Sequence, residues 1–204
     1  MFALVESGTI TQFPKGNKGI TIGDNQYPQS IYTVWTEAER NAIGIYTVAI
    51  DNTNRKDEAF YINTDVTYTF TGSAVTGTYG TATAKRLNDE NAVDEDGNNV
   101  LDADGNQVIN YGLKTKYKNQ FNAQAAGLLA KTDWYVIKAA DVGSYSVPSN
   151  ITTYRAAVRT KVNAMETSID GCSDVDALIT LLTYTTDSEG VTSRPLGEFP
   201  DEVV

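Results

Sequence analysis

Histidine is absent from this sequence, and cysteine and tryptophan are scarce: there is one cysteine and there are two tryptophans. The lack of histidine removes the usual general base, the Ser-His-Asp arrangement and the commonest zinc ligand. Cys172 has no second cysteine to pair with, which excludes an internal disulfide. A lone thiol without a histidine to activate it is more typical of a structural residue. We therefore expect no enzyme activity, no catalytic residues and no cofactor.

Long apolar runs and basic residues are also in short supply. No stretch approaches the ~18–20 apolar residues of a membrane span, and residues 1–6 lack the basic start of a signal peptide. Acids outnumber bases by 26 to 16, which gives a net charge of −10. An acidic chain is repelled by nucleic acid and by anionic membranes. The sequence thus predicts a protein made in a cytoplasm that binds neither nucleic acid nor membrane.

The length of 204 residues, of which 41% are hydrophobic, allows two small domains with separate cores. We predict the α+β class, in which residues 1–86 form a small antiparallel β domain with one short helix. Ser7-Gly8 is a hairpin turn pair, and Thr36 with Glu39 is a capping box that opens a helix ending at Gly44. Residues 15–30 are predicted to be a loop, and the glycines of residues 75–80 argue against a central strand there. The strands are predicted within residues 2–13, 45–50, 59–62, 64–70 and 77–84.

The segment 87–110 is acidic and repetitive. Residues 89–105 contain seven acids and no bases, and an eight-residue pattern that starts at Asp94 starts again at Asp102. Asp-Gly-Asn is strong turn chemistry, so we predict a projecting hairpin or linker. Asp94, Asp96, Asp102 and Asp104 are weak candidates for an irregular calcium site. The register of a calcium-binding loop fails, because Gly105 at its sixth position would place Val100 at the first, so a solvated turn is favoured and no metal is expected.

Residues 111–186 are predicted to be a helical hairpin or three-helix region, and residues 187–204 an extended tail. The second helix is expected to begin after Pro148-Ser149-Asn150 and to end at Asp170-Gly171, the third to start at Ser173, and an Asp-Trp turn and a loop to separate the first two. Apolar residues at helical spacing mark the buried faces of the first two helices: Tyr117, Phe121, Ala125 and Leu128, and then Tyr154, Val158, Val162, Met165 and Ile169. Residues 110–161 hold eight bases and two acids. The basic part of this helical region therefore contrasts with the acidic segment before it, and the two could meet within one chain or between chains.

Four residues of the helical region are candidates for binding a partner: Trp134, Tyr154, Arg155 and Arg159. Trp134, like Trp35, is expected to be a core anchor, with ligand stacking as the alternative. For Tyr154, Arg155 and Arg159 the simpler interpretation is an amphipathic helix with a solvated basic edge. The functional alternative is that both arginines pair with acidic groups of a partner.

Residues 128–134 read Leu-Leu-Ala-Lys-Thr-Asp-Trp and are followed, after a loop, by Tyr154-Arg-Ala-Ala-Val-Arg159. This pattern resembles the helical hairpin of the family of phage tail-fibre and tail-assembly chaperone proteins, with Val158 where a leucine is usual. The opening residues 1–14 resemble its N-terminal hairpin, and residues 39–48 its step from helix to strand. The acidic insert 87–110, the last helix and the tail lie outside the pattern. With these additions the chain resembles the long, marine-phage type of the family.

The resemblance implies a structural protein of the phage virion, from the tail, fibre or baseplate region, that acts by binding other phage proteins. It also implies a place in a symmetric oligomeric assembly. The alternative is a chaperone that holds a tail fibre during assembly and is absent from the virion. A tail-associated hydrolase comes third, since paired carboxylates for glycoside hydrolysis cannot be located from sequence spacing.

Overall fold

The structure, a computed structural model, describes residues 1–203 and shows an α+β protein, as predicted. The residues group into two compact units, an N-terminal unit, Met1–Thr83, and a C-terminal unit that begins at Ala84. The predicted boundary after residue 86 lies close to this division. Among the helices of the described residues, none has both the length and the apolarity that a membrane crossing requires.

The N-terminal unit is built of short strands, a 3-10 helix at Gln29–Tyr32 and the α-helix α1 at Glu37–Ala42. Its strands, in chain order, are β1 Phe2–Glu6, β2 Thr9–Gln12, β3 Ile20–Ile22, β4 Asn25–Tyr27, β5 Ile45–Asp51, β6 Tyr61–Ile62, β7 Val66–Phe70 and β8 Val75–Tyr79. A further short strand, β9 Thr83–Ala84, lies at the boundary between the units.

The predicted hairpin at the start of the chain is confirmed. β1 and β2 are antiparallel, with Glu6 opposite Thr9. The two residues between them, Ser7 and Gly8, have φ angles of 50° and 81°. Positive φ at both central positions is the geometry of the type I′ turn, whose twist matches that of the flanking strands. The turn therefore sets the register of the first two strands.

The main sheet is mixed, so the prediction of a wholly antiparallel β domain is wrong. Its strand order is β2-β1-β5-β8-β7. β5 and β8 are parallel, with Val48 opposite Val75, and the other neighbours are antiparallel. The reason is that β7 and β8 form a hairpin in which Phe70 lies opposite Val75. β7 lies at the edge of the sheet, so β8 lies between β7 and β5. In this position β8 runs parallel to β5.

The glycines of residues 75–80 were expected to argue against a central strand, and that expectation is wrong. β8 lies between β5 and β7, and Gly77 is in its middle. A Cβ atom at Gly77 would lie 2.8 Å from side-chain atoms of Tyr68 and Val66 and 2.9 Å from Ile50 Cδ1. Glycine is therefore required here by the close approach of large neighbours, a recognised use of glycine within strands.

The two faces of β1 contribute to two different cores, because successive side chains of a strand point to opposite faces. Ala3 and Val5 pack with Val48 and Val75 in one cluster. On the other face, Leu4 and Ile45 pack with Ile31 and Tyr32 of the 3-10 helix, against which the half-buried Trp35 also packs. The expectation that Trp35 is a core residue agrees with this position.

Residues 15–30, predicted to be a loop, contain the antiparallel pair β3–β4 and the start of the 3-10 helix. The capping box is confirmed: Glu39 N donates to Thr36 Oγ1 at 3.3 Å, and Thr36 N donates to Glu39 Oε2 at 2.8 Å. This reciprocal pair satisfies two of the free N–H groups at the start of α1. Gly44, just past the helix, has a φ of 84°.

The C-terminal unit starts with the hairpin strands β10 Glu90–Asn91 and β11 Ile109–Asn110. Its helices are α2 Leu113–Ala130, α3 Asp133–Asp141, α4 Ser149–Asp170 and α5 Val175–Leu182. The chain then forms the short antiparallel strands β12 Thr185–Thr186 and β13 Thr192–Ser193.

The prediction of three helices missed α3, which occupies residues expected to be a turn and a loop. Residues 133–141 contain no glycine or proline, and Asp133 in the first turn with Lys138 in the last suits the helix dipole. The motif that suggested a turn, Asp133-Trp134, is in fact the start of this helix.

The core of the C-terminal unit lies where α2 packs against α4. The predicted stripes supply it: Phe121 and Ala125 from α2, and Val158, Met165 and Ile169 among others from α4 are buried. Helical spacing of apolar residues therefore predicted the buried face of α4 correctly, while Tyr117 and Leu128 of the predicted α2 stripe are half-buried.

The tail, residues 187–204, was predicted to be extended, and that prediction is wrong for its first part. β12 and β13 form a hairpin, and Leu196 after it is 3% exposed. Leu196 N donates to the carbonyl of Leu181, and Lys161 Nζ donates to the carbonyl of Leu196 at 2.8 Å. The tail is therefore anchored to α4 and α5.

Candidate functional site

Arg155, a candidate for pairing with a partner, is instead buried at the junction of α2, α3 and α4. Its side chain is on α4 and the residue is 8% exposed. Nη1 donates to the carbonyl of Leu129 at 2.8 Å and to Thr132 Oγ1 at 2.7 Å, and Nη2 lies 2.8 Å from Asp133 Oδ1. The guanidinium thus adds a donor to a carbonyl in the last turn of α2, which also accepts from Thr132 N and Thr132 Oγ1, both at 3.0 Å. The hypothesis that Arg155 is free to bind a partner is wrong.

The other two candidates on α4, Tyr154 and Arg159, differ from each other in their exposure to solvent. Tyr154 is buried, its hydroxyl has no hydrogen-bond partner within residues 1–203, and burial raises its pKa. It is a core residue and does not offer its ring to a partner. Arg159, one helical turn beyond Arg155, is exposed. Of the two arginines, Arg159 alone presents its charge to solvent, and its role in binding stays a prediction.

Trp134 is exposed rather than buried, so the expectation that it anchors a core is wrong. Half of its surface, 51%, is accessible, and Ile137 on the same side of α3 is 67% exposed. None of the residues of α3 is buried. We call the exposed apolar residues of this helix and of the residue after it the α3 patch: Trp134, Val136, Ile137 and Val142.

Aromatic and basic groups order the α3 patch. The rings of Trp134 and Tyr135 have centroids 3.9 Å apart, and Lys138 Nζ lies 5.7 Å from the Trp134 ring and 4.4 Å from the Tyr145 ring. A cation over an aromatic face is favourable and holds both groups in place. The patch is therefore an ordered apolar surface with an exposed aromatic ring, and aromatic residues are enriched at protein interfaces.

The acidic repeat forms two identical turns rather than a ligand cluster. Asp94 Oδ1 accepts from the main-chain N–H groups of Asp96 at 3.0 Å and Asn98 at 2.8 Å. Asp102 Oδ1 accepts from Asp104 at 3.0 Å and Asn106 at 2.8 Å. These bonds hold the pKa of both carboxyls below the usual aspartate value, and the bonds from the N–H groups of Asn98 and Asn106 have the largest effect.

The weak metal candidates are therefore not brought together. Within residues 1–203 there is no group of three or more acidic or cysteine side chains that could hold a metal ion. Asp94 and Asp102 stabilise their own turns. The same turn occurs a third time, at Asp187, whose Oδ1 accepts from the N–H groups of Glu189 and Val191 at 2.9 Å. Its sequence signal is an aspartate three residues before a glycine, as at Asp94 and Asp102.

A cavity in the N-terminal unit had no counterpart in the sequence analysis. It has a volume of about 420 Å³ and is lined by residues 12–20 together with Tyr32. Its wall includes Lys15, Lys18 and two glycines, Gly16 and Gly19. In the sequence, the feature that marks this cavity is a cluster of lysine and glycine in a stretch without acids. The sequence analysis predicted only a loop there.

Comparison with known proteins gives no relative of this chain. No protein-family model, no curated protein and no solved structure matches it significantly.

Proposed function

We propose that this chain is a structural protein of a phage virion, from the tail, fibre or baseplate region, and that it acts by binding other virion proteins. The phage assignment is supported by the resemblance of residues 1–14, 39–48, 128–134 and 154–159 to tail-fibre assembly proteins. The observation that carries the binding role is the α3 patch, an exposed apolar helix in an otherwise acidic chain. Exposed apolar clusters of this kind typically mark protein interfaces.

The charge around the patch indicates the chemistry of the partner. Residues 110–161 carry eight bases against two acids, and Asp133 is already paired with the buried Arg155. Lys138 beside the patch and Arg159 on α4 keep their positive charge at the surface, and Asp141 at the end of α3 is exposed as well. The excess of bases in this region favours a partner whose contact surface is bordered by acidic side chains.

A non-virion assembly chaperone is the second candidate. It is favoured by the same hairpin resemblance, and an exposed apolar helix is what a chaperone would use to hold the tip of an unassembled fibre. The two functions predict different fates for the protein after assembly, since a virion component remains in the particle and a chaperone leaves it.

Mass spectrometry of purified virions, with stoichiometry against the major capsid protein, separates the two functions. A fixed copy number in a multiple of the tail symmetry is expected for a structural component. Absence from particles, together with abundance in infected cells, would assign the chaperone role instead.

The binding role is tested with a double variant of the patch, Trp134→Ser with Ile137→Ser, in affinity purification from infected cells. We expect the partner to be lost from the variant and to be recovered with the matched control Ile62→Ser, because Ile62 is 60% exposed but belongs to the N-terminal unit. Recovery of the same partner by the patch variant would refute the role of α3. Recovery by the unchanged protein should also fall as salt is raised, since exposed charges are screened.

A further inference from the structure

The cavity of the N-terminal unit has the composition of an anion site. The stretch from Ser7 to Gly23 contains two lysines, Lys15 and Lys18, and no acid, in a chain of net charge −10. Both lysines line the cavity, and neither forms an ion pair with any described residue. Two unpaired cations at one cavity in an acidic protein create a local positive potential that attracts anions.

The main chain of the same loop adds donors. The N–H groups of residues 15–18 donate to no acceptor within residues 1–203. Gly16 has a φ of 72°, so the chain turns through the left-handed region between the two lysines. Turns with successive free N–H groups form concave anion receptors in many proteins. Here the free groups belong to the two lysines and to the two residues between them in the sequence.

The loop is held in position by its glycines. A Cβ atom at Gly16 would lie 3.3 Å from Phe2 Cε2 and 3.5 Å from Tyr32 Cγ, and one at Gly19 would lie 2.5 Å from the carbonyl oxygen of Tyr27. The loop backbone therefore sits directly on the aromatic side chains and main chain beneath it. A receptor that is already ordered loses less conformational entropy when a ligand binds.

Tyr32 contributes its ring to the wall. It is 7% exposed, it lines the cavity, and its Cγ would lie 3.5 Å from a Cβ at Gly16. Its hydroxyl is closed off from solvent, so the part of Tyr32 that meets the cavity is apolar. An aromatic ring in the wall suits the apolar part of an organic ligand.

We infer that this cavity binds a small organic molecule that carries a phosphate, sulfate or carboxylate group. Lys15, Lys18 and the N–H groups between them bind the oxyanion, and the remainder of the molecule lies against Phe13 and Tyr32. A volume of about 420 Å³ exceeds that of a bare oxyanion and lies in the range of small-ligand sites. The site is in the N-terminal unit, so it is independent of the proposed role of α3.

The test is titration of the ¹⁵N-labelled full chain, followed by NMR, with phenyl phosphate, inorganic phosphate and phenol. We expect phenyl phosphate and inorganic phosphate to shift the amide signals of residues 15–19, and phenol alone to leave them unchanged. Tighter binding of phenyl phosphate than of inorganic phosphate would show that the ligand is an organic ester. Equal affinities would show that the oxyanion alone is recognised. Shifts spread over all surface lysines, or none in this loop, would overturn the assignment.

Variants locate the binding groups. Lys15→Gln with Lys18→Gln should weaken phenyl phosphate binding about tenfold, because two partly exposed charge pairs are lost. Tyr32→Phe should leave binding unchanged, because the hydroxyl is closed off from the cavity and the ring is kept. Lys116→Gln, an exposed lysine of the C-terminal unit, is the matched control and should bind as the unchanged protein does. Undiminished binding by the double lysine variant would refute the site.

Discussion

Replacement of Arg155 by methionine should destabilise the C-terminal unit by about 3 kcal/mol. Methionine keeps the apolar stem and removes the guanidinium, so the carbonyl of Leu129 and Thr132 Oγ1 both lose a buried donor. A hydrogen bond from a charged group contributes about 1.5–3 kcal/mol, and the lower end applies here because the Leu129 carbonyl keeps its bond from Thr132 N. The ion pair with Asp133, whose side chain is 50% exposed, adds at most about 1 kcal/mol because solvent screens it.

The assay is urea denaturation followed by far-UV circular dichroism, which reports on the helices. The control is Arg159→Met, one turn further along α4 and exposed, for which a change within about 0.5 kcal/mol is expected. A loss below about 1 kcal/mol for Arg155→Met, or one equal to that of the control, would refute the conclusion that Arg155 joins α2, α3 and α4.

Three further predictions follow from other parts of the structure. Trp134→Ala should change the free energy of unfolding by less than about 1 kcal/mol in the same denaturation assay, since Trp134 is half exposed; a loss near 3 kcal/mol would place it in a core. Gly77→Ala should lower stability by about 2 kcal/mol or more, because the new methyl group would overlap Tyr68; an unchanged melting temperature would contradict this. The carboxyls of Asp94 and Asp102 have lowered pKa values, so their contribution to stability is present above the unfolded pKa of ~3.9 and is lost as pH falls through the folded value. NMR titration should give midpoints below ~3.9 for both, and midpoints at or above it would show that the turns do not hold these carboxylates.

Local patterns explain the parts of the fold that the sequence could predict. Ser7-Gly8 and the pair Thr36 and Glu39 act through hydrogen bonds and backbone angles within a few residues, so their meaning does not depend on the rest of the chain. The apolar stripes of α2 and α4 are equally local in origin. The parallel pairing of β5 with β8 depends on where a distant hairpin inserts, and no short pattern encodes that.

The candidate site was harder to predict because burial of a polar side chain depends on what lies opposite it. Arg155 and Arg159 are one turn apart and look alike in the sequence, yet the end of α2 lies against the first and solvent against the second. Trp134 was misplaced for the converse reason. A large aromatic side chain is usually buried, and only the position of α3 at the surface shows that this one is exposed.

The two aspartate turns and the β10–β11 pair close a ring of main-chain hydrogen bonds. Val100 N donates to the carbonyl of Ala92 and Val108 N to that of Val100, both at 2.9 Å, and Ala92 N donates to that of Val108 at 2.8 Å. Gln107 Nε2 donates to the same three carbonyls, at 2.9, 3.2 and 2.8 Å. Inserting or deleting one octapeptide would therefore open this ring and separate β10 from β11. Related chains that keep this segment should thus keep both of its octapeptides.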